Sequence, residues 1–207
     1  APEAVKRGVV VIDNGADFRM DPEVPLVVPE VNAQDIKKCK KGIIANPNCS
    51  TIQMVVALWP IYKKVGIKRV VVTTFQAASG AGRAAVEQLR KELMELNKSE
   101  YQNIRISEYQ ERVLPQQLAF NVFPHIGSFG EHDYTSEEWK LVYETHKIMH
   151  DDKIKITATT VRVPVRTGHS ESIYIETKRL IEPEKLRDIL SKSPGIIVID
   201  EPKNNLY

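Results

Sequence analysis

Apolar positions fall into short runs divided by glycine, proline and asparagine. Gly8 to Asp13 (GVVVID) is β-branched and closed by Asn14-Gly15, the pattern of a buried strand ending in a turn. Three prolines in Asp21 to Pro29 predict extended, irregular chain, because proline removes a donor and disfavours helix before it. Gly42 to Ala45 reads as another buried strand, stopped by Asn46-Pro47. Ser50 to Lys64 reads as a helix, with Ile52, Val55, Val56 and Trp59 on one face and a kink or stop at Pro60. Ile67 to Phe75 is a β-branched strand of parallel or buried type.

Ser79 to Lys98 has helical spacing, with Val86, Leu89, Leu93 and Leu96 as the expected stripe and Glu87 placed to pair with Lys91. Tyr101 to Asp133 reads as irregular. Thr135 and Glu138 have capping-box spacing and open a helix to about His150. Lys155 to Val165 and Ser170 to Thr177 are expected strands, Pro183 to Ser191 a short helix, and Gly195 to Asp200 (GIIVID) a closing apolar run resembling a core strand. This order predicts an α/β or α+β fold, a sizeable mixed sheet with helices on one face. A chain that starts and stops beside core strands suggests parts missing at one or both ends.

Hydrophobic residues at 42% and charged residues at 27% suit an ordinary globular chain. No apolar stretch approaches the ~20 residues of a bilayer span, and Ala1 to Arg7 lacks a signal-peptide core. The expected location is therefore the cytoplasm. Net charge is +2, and the Lys37, Lys38, Lys40, Lys41 cluster lacks stacking aromatics, so it reads as a solvated loop rather than a nucleic-acid site. Two cysteines, Cys39 and Cys49, do not make a disulfide scaffold.

Candidate chemistry centres on Asn46 to Thr51, where a strand ends, the chain turns and a helix begins at Cys49. Unpaired N–H groups and the positive end of the dipole favour a thiolate there. With the Asn48 amide, those N–H groups could also hold an oxyanion. The plain alternative is a small buried hydrophobe. A thiolate nucleophile calls for a base, and among five histidines His169 follows a strand and a turn at Gly168; any one of them alone reads more readily as a surface or hydrogen-bonded residue than as a catalyst. Arg162 lies in an apolar strand, where a guanidinium needs a partner: a bound carboxylate or phosphate, or an internal pair with Glu171 or Glu176. Arg19 follows the Asn-Gly turn and also suits an anion. Gln76 to Gly82 is a glycine-rich turn able to approach a ligand closely, without the dinucleotide fingerprint spacing. No zinc-ligand spacing is present, and no metal is expected.

Val11 to Asn32, Ile43 to Leu58, Val70 to Gly82, Phe120 to Gly127, Tyr143 to Ile148 and Arg162 to Glu176 together resemble the aspartate-β-semialdehyde dehydrogenases, in family order. The resemblance implies a glyceraldehyde-phosphate-dehydrogenase-like catalytic and dimerisation domain over 46–207, preceded over 1–45 by the tail of a Rossmann-type NADP domain. It implies NADPH-dependent reduction of L-aspartyl 4-phosphate to aspartate 4-semialdehyde with release of phosphate, on the route to lysine, diaminopimelate, methionine and threonine. In that reading Cys49 is the nucleophile, His169 its acid–base partner, Gln76 orients the thioester and Asn48 steadies the oxyanion. Arg162 and Glu144 bind the substrate's carboxylate and amino group, Arg19 and Lys147 its phosphate, and Ser79, Gly80 and Asn14 touch NADP(H). Homodimers or homotetramers are implied, with no nucleic acid and no membrane.

Gly15 stands where the family often has serine, and the family's opening glycine-rich phosphate loop is not in this sequence, so the isolated chain is expected not to turn over. The N-acetyl-γ-glutamyl-phosphate reductases share the chemistry, but the GHSES and FQAASGAG segments fit them less well. Glyceraldehyde-phosphate-type dehydrogenases fit poorly around Cys49. A catalytically inert subunit-contact module would be expected to lose some of Cys49, Gln76, Arg162 and His169.

Overall fold

The computed structural model describes residues 1–96 and 113–206. Its contacts divide the chain into two units. One comprises Ala1–Val71, Lys140–Thr157 and Tyr174–Tyr207, the other Val72–Trp139 and Ala158–Ile173.

In the first unit a short helix α1 (Pro2–Val5) precedes β1 (Val11–Asp13), which pairs in parallel with β2 (Ile43–Ala45), Ile12 opposite Ile44. Between them lie α2 (Pro29–Asn32) and a 3-10 turn, Ala33–Lys38. The proline-rich stretch is irregular as expected and docks on β2, with Val27 N–H donating to Ala45 O at 3.1 Å. Helix α3 (Cys49–Val65) continues through Pro60 rather than stopping there. Its buried positions are Met54, Val55, Leu58, Ile61 and Val65, a stripe rotated from the expected face. It packs against α2 and the later α6.

Strand β3 (Ile67–Gln76) lies between β4 (Lys155–Arg162) and β5 (Ser170–Thr177). Its exposure alternates, so it is half-buried rather than the fully buried strand its β-branched run suggested. A 3-10 turn (Ala78–Ala81) and Gly82, whose φ of 86° suits glycine, lead into α4 (Arg83–Leu96). The expected stripe of α4 is only partly right. Leu89 is buried but Leu93 is exposed, while Gln88 and Glu92 are buried. The reason is the facing loop. Gln88 Oε1 accepts from Val113 and Leu114 N–H, and Glu92 Oε2 from Leu118 and Ala119 N–H, at 2.8–3.0 Å. Four backbone donors that would otherwise be orphaned demand buried acceptors. Around them Ala85, Leu89, Leu114, Leu118 and Phe123 form the core. Glu87 pairs with Arg90 at 2.7 Å, the ion pair observed at that position in place of one with Lys91.

Helix α5 (Ser136–Met149) opens with the expected capping box: Thr135 N–H donates to Glu138 Oε2 at 2.7 Å, and Glu138 N–H to Thr135 Oγ1 at 3.3 Å. Helix α6 (Pro183–Ser191) matches its expected bounds. The GIIVID run does not form a strand, and Ile197 is 87% exposed; Ile12 of β1 is likewise exposed. An apolar run becomes a strand only where a partner supplies ladder bonds. Residues 97–98 of the expected α4 and 101–112 of the expected irregular stretch lie outside the described residues. Among the described residues no helix is long and apolar enough to cross a membrane.

Candidate active site

The sequence-predicted residues gather into two groups, one in each unit. In the first, β2 ends, Asn46-Pro47 turn the chain, and Cys49 occupies the first position of α3, exposed and outside any disulfide. Asn48 is the N-cap. Its Oδ1 accepts from Ser50 N–H at 3.0 Å and Thr51 N–H at 3.2 Å. This changes one expectation: those helix-start donors already have an acceptor, and the Asn48 carbonyl oxygen is spent on the cap. Cys39 is half-buried and its thiol donates to Ile43 O at 3.3 Å.

Asn48 N–H donates to Glu144 Oε2 at 2.6 Å, and Arg19 Nη1 to Glu144 Oε1 at 3.0 Å. Arg19 also donates to the carbonyls of Gly15 and Asn14, at 3.0 and 3.1 Å. Burial pushes the Glu144 carboxyl above the usual range, against the Asn48 N–H and the Arg19 guanidinium. Lys147 Nζ donates to Arg19 O, Asp21 O and Val24 O at 2.6, 2.7 and 2.9 Å. Three acceptors satisfy an ammonium group, so Lys147 holds the 19–24 loop, and the phosphate contact expected of it would require exchanging a carbonyl. Burial lowers its pKa, opposed by Asp21 and Glu144. Asn14 is exposed, and its Oδ1 accepts from Asn46 Nδ2 at 2.6 Å.

The second group surrounds the backbone of Ala77. The Ala77 N–H donates to His169 Nδ1 at 3.0 Å, and its carbonyl, in the next peptide group, accepts from Arg162 Nη1 at 2.6 Å. Neighbouring bonds hold that stretch of backbone: Val163 N–H to Gln76 O, Ala78 N–H to Val165 O and Ser79 N–H to Arg166 O, at 2.8–3.1 Å. Gln76, 1% exposed, donates from Nε2 to Glu137 Oε1 at 3.2 Å and to Thr74 Oγ1 at 3.3 Å. A carboxylate can only accept, so Glu137 fixes which way the Gln76 amide faces. Burial holds the His169 pKa below its ordinary value, with Arg162 adding to the effect and Glu137 opposing it.

Two participants carried no sequence signal. Ala77 contributes only backbone, and Glu137 reads as a routine acid in the first turn of a helix. Gly80 also gains a reason to be glycine. A Cβ there would lie 2.8 Å from His169 Cε1 and 2.9 Å from Nε2. Gly80→Ala is therefore expected to push the imidazole off Ala77 N–H while costing only about 1–3 kcal/mol, because the ring can yield. Faster hydrogen exchange at the Ala77 amide, with thermal unfolding only modestly lowered, checks this; an unchanged amide would show that the ring stayed.

An exposed thiol thus stands on a capped helix start in the first unit, and an imidazole is held near a buried arginine in the second. Sequence comparison assigns the class: the chain belongs to the semialdehyde dehydrogenase family, whose dimerisation-domain model matches residues 58–207 and whose NAD-binding-domain model matches residues 1–39. Within that family its relatives are aspartate-semialdehyde dehydrogenases. It is 58% identical over 208 residues to that of Aquifex aeolicus, covering 100% of this chain and 59% of the relative. Among solved structures it matches aspartate semialdehyde dehydrogenase II of Vibrio cholerae complexed with ASA, at 45% identity and TM-score 0.87, over 94% of this chain and 56% of that one. The enzyme of Candida albicans with NADP matches at 27% identity and TM-score 0.61, over 91% and 50%. These likenesses carry the fold class too: the glyceraldehyde-phosphate-dehydrogenase-like catalytic domain with part of a nucleotide-binding domain before it. The chain spans about 59% of the length of the Aquifex relative.

Proposed function

We propose that this chain is the thiol-bearing part of a nicotinamide-dependent dehydrogenase that converts L-aspartyl 4-phosphate to L-aspartate 4-semialdehyde and phosphate. The observation that carries the reading is Cys49, an exposed thiol at the first position of an asparagine-capped helix. The positive end of the dipole favours the thiolate, and the thiolate is the nucleophile. Its sulfur attacks the acyl carbon, the carbon–oxygen bond to phosphate breaks, and a thioester forms. After reduction of the thioester carbon, the carbon–sulfur bond breaks and the aldehyde leaves.

Arg162 clasps the substrate carboxylate, and its bond to Ala77 O pre-sets the guanidinium. Gln76 orients the thioester, its amide direction set by Glu137. His169 is the acid–base partner of Cys49 and exchanges protons with the intermediate. Glu144, Arg19 and Lys147 serve the amino and phosphate groups by exchanging the hydrogen bonds they make with one another and with the 14–24 loop. Asn48 serves the oxyanion through its place at the start of α3.

Gly80, exposed on the 3-10 turn of the second unit and without a Cβ beside His169, supports placing the nicotinamide there, with Ser79 next to it. We assign Ser79, Gly80 and Asn14 to NADP(H), which when bound supplies the hydride. The boundary at 45/46 separates the tail of the nucleotide-binding domain from the catalytic and dimerisation domain. A homodimer or homotetramer, cytoplasmic location and a place in lysine, diaminopimelate, methionine and threonine biosynthesis complete the reading. The relatives favour it over N-acetyl-γ-glutamyl-phosphate reduction, because relatives 58% and 48% identical to this chain are aspartate-semialdehyde dehydrogenases.

Iodoacetamide labelling of the folded chain tests the thiol. Cys49 is expected to react at least about tenfold faster than Cys39 near neutral pH. Equal rates would remove the activated nucleophile on which the proposal stands.

A further inference from the structure

We propose that Asn14 is a self-modifying residue: the Asn14-Gly15 turn closes spontaneously to a succinimide, which water opens mainly to isoaspartate. The site lies wholly within the first unit. It stands apart from the function proposed above, although it falls on a residue assigned there to NADP(H).

Asn14 is the one asparagine in the sequence that glycine follows. Ring closure needs an unshielded nitrogen after the asparagine, and glycine has no Cβ to block it. Both residues are exposed. Geometry adds two further aids. Gly15 N–H donates to Asp13 Oδ1 at 2.7 Å, so a carboxylate draws on the proton of the attacking nitrogen. A Cβ on Gly15 would lie 2.9 Å from that oxygen, so the contact depends on glycine. Asn46 Nδ2 donates to Asn14 Oδ1 at 2.6 Å, where negative charge develops as the nitrogen adds to Cγ. The other described asparagines lack this setting. Asn46 precedes Pro47, which has no N–H to lose. Asn32 and Asn48 are buried, and Asn48 Oδ1 is held in the cap of α3. Asn121 turns its Oδ1 to the next amide, that of Val122, at 2.9 Å. Asn204 and Asn205 are exposed, but the residue after each carries a Cβ.

In the first step the Gly15 nitrogen bonds to Asn14 Cγ, the Cγ–Nδ2 bond breaks, and ammonia leaves with the proton that the nitrogen gives up. Nothing is oxidised or reduced. Water then adds to one of the two ring carbonyls and breaks its bond to the Gly15 nitrogen. Attack at Cγ yields aspartate. Attack at the main-chain carbonyl yields isoaspartate, in which the chain runs through the side chain and the former main-chain carbonyl is a free carboxylate. Arg19 selects the second path. Its Nη2 donates to Asn14 O at 3.1 Å, polarising that carbonyl toward water, and the guanidinium then faces the carboxylate formed there. The new carboxylate competes with Glu144 for the same guanidinium, which Glu144 Oε1 meets at 3.0 Å. Modification at Asn14 therefore reaches the buried ion pair of the first unit.

The test incubates the folded 207-residue chain near neutral pH, with the same chain unfolded in urea as reference. Mass spectrometry of digests gives the fraction of each asparagine converted, and methyl transfer by an isoaspartyl methyltransferase counts the rerouted linkage. Asn14 is expected to convert ahead of every other asparagine, at least as fast folded as unfolded, and with a larger share of isoaspartate when folded. Asp13→Asn keeps the shape of the turn and an acceptor but removes the base, and is expected to slow conversion in the folded chain by about tenfold or more. Slower conversion in the folded chain than in urea means that the fold protects Asn14, and overturns the inference. An isoaspartate share no larger folded than unfolded, or an unchanged rate in folded Asp13→Asn, likewise overturns it. If that variant does not fold, the comparison of folded and unfolded wild type decides alone.

Discussion

Cys49→Ser is expected to lower the reductive dephosphorylation of L-aspartyl 4-phosphate by about a thousandfold or more. The measurement is NADPH-coupled release of phosphate, in a protein that joins this chain to a complete nucleotide-binding domain. The size of the loss follows from the nucleophile. A serine at the start of α3 keeps the shape and the Asn48 cap, but its hydroxyl does not ionise near neutral pH. The helix dipole contributes on the order of 1 kcal/mol, far short of the gap. Cys39→Ser should leave turnover intact, since Cys39 is half-buried and committed to Ile43 O. Should the serine variant keep more than about a tenth of wild-type activity, sulfur is not the attacking atom.

Glu144→Ala is expected to destabilise the first unit by about 3 kcal/mol, the low end of the range for stripping one partner from a buried ion pair. Glu144 is 1% exposed and Arg19 8% exposed, so water does not replace the lost carboxylate. The carbonyls of Gly15 and Asn14 still accept from the guanidinium, which is why the low end applies. The same change orphans the Asn48 N–H, which Glu144→Gln can retain, so the glutamine variant should lose less. A pH signature accompanies this. The folded-state pKa of Glu144 is raised, so the native chain holds the proton more tightly than the unfolded one. That contribution is fully present below the ordinary glutamate value and is lost as pH rises through the raised one. Urea unfolding across that window should show the slope in the wild type and lose it in Glu144→Gln. Equal stability of wild type and Glu144→Ala would mean the pair does not hold the fold.

Much of this was legible because it is local. The capping box of Thr135 and Glu138, the turn before Cys49 and the strand Ser170–Thr177 each depend on neighbours a few residues away. Where the reading failed, the deciding partner was distant. Gln88 and Glu92 join Leu89 on the buried face of α4, and Leu93 does not, because a loop some 25 residues on turns four N–H groups toward them. The stripe of α3 rotated for a similar reason: Met54 and Leu58, not Ile52 and Trp59, are the buried positions. In the site, residue types with intrinsic chemistry stood out, whereas the backbone that orders two of them did not. Alanine announces nothing in a sequence, and Glu137 was hidden by the ordinary preference of helix starts for acids.

Arg162 and His169 are held by one residue through two successive peptide groups: the Ala77 N–H donates to His169 Nδ1, and Ala77 O, in the next peptide plane, accepts from Arg162 Nη1. Replacing the arginine would free the second plane, and a tilt there would reach the imidazole through the Cα of Ala77. A designer who alters the guanidinium should therefore expect to disturb the histidine as well, and no side-chain change at position 77 uncouples the two.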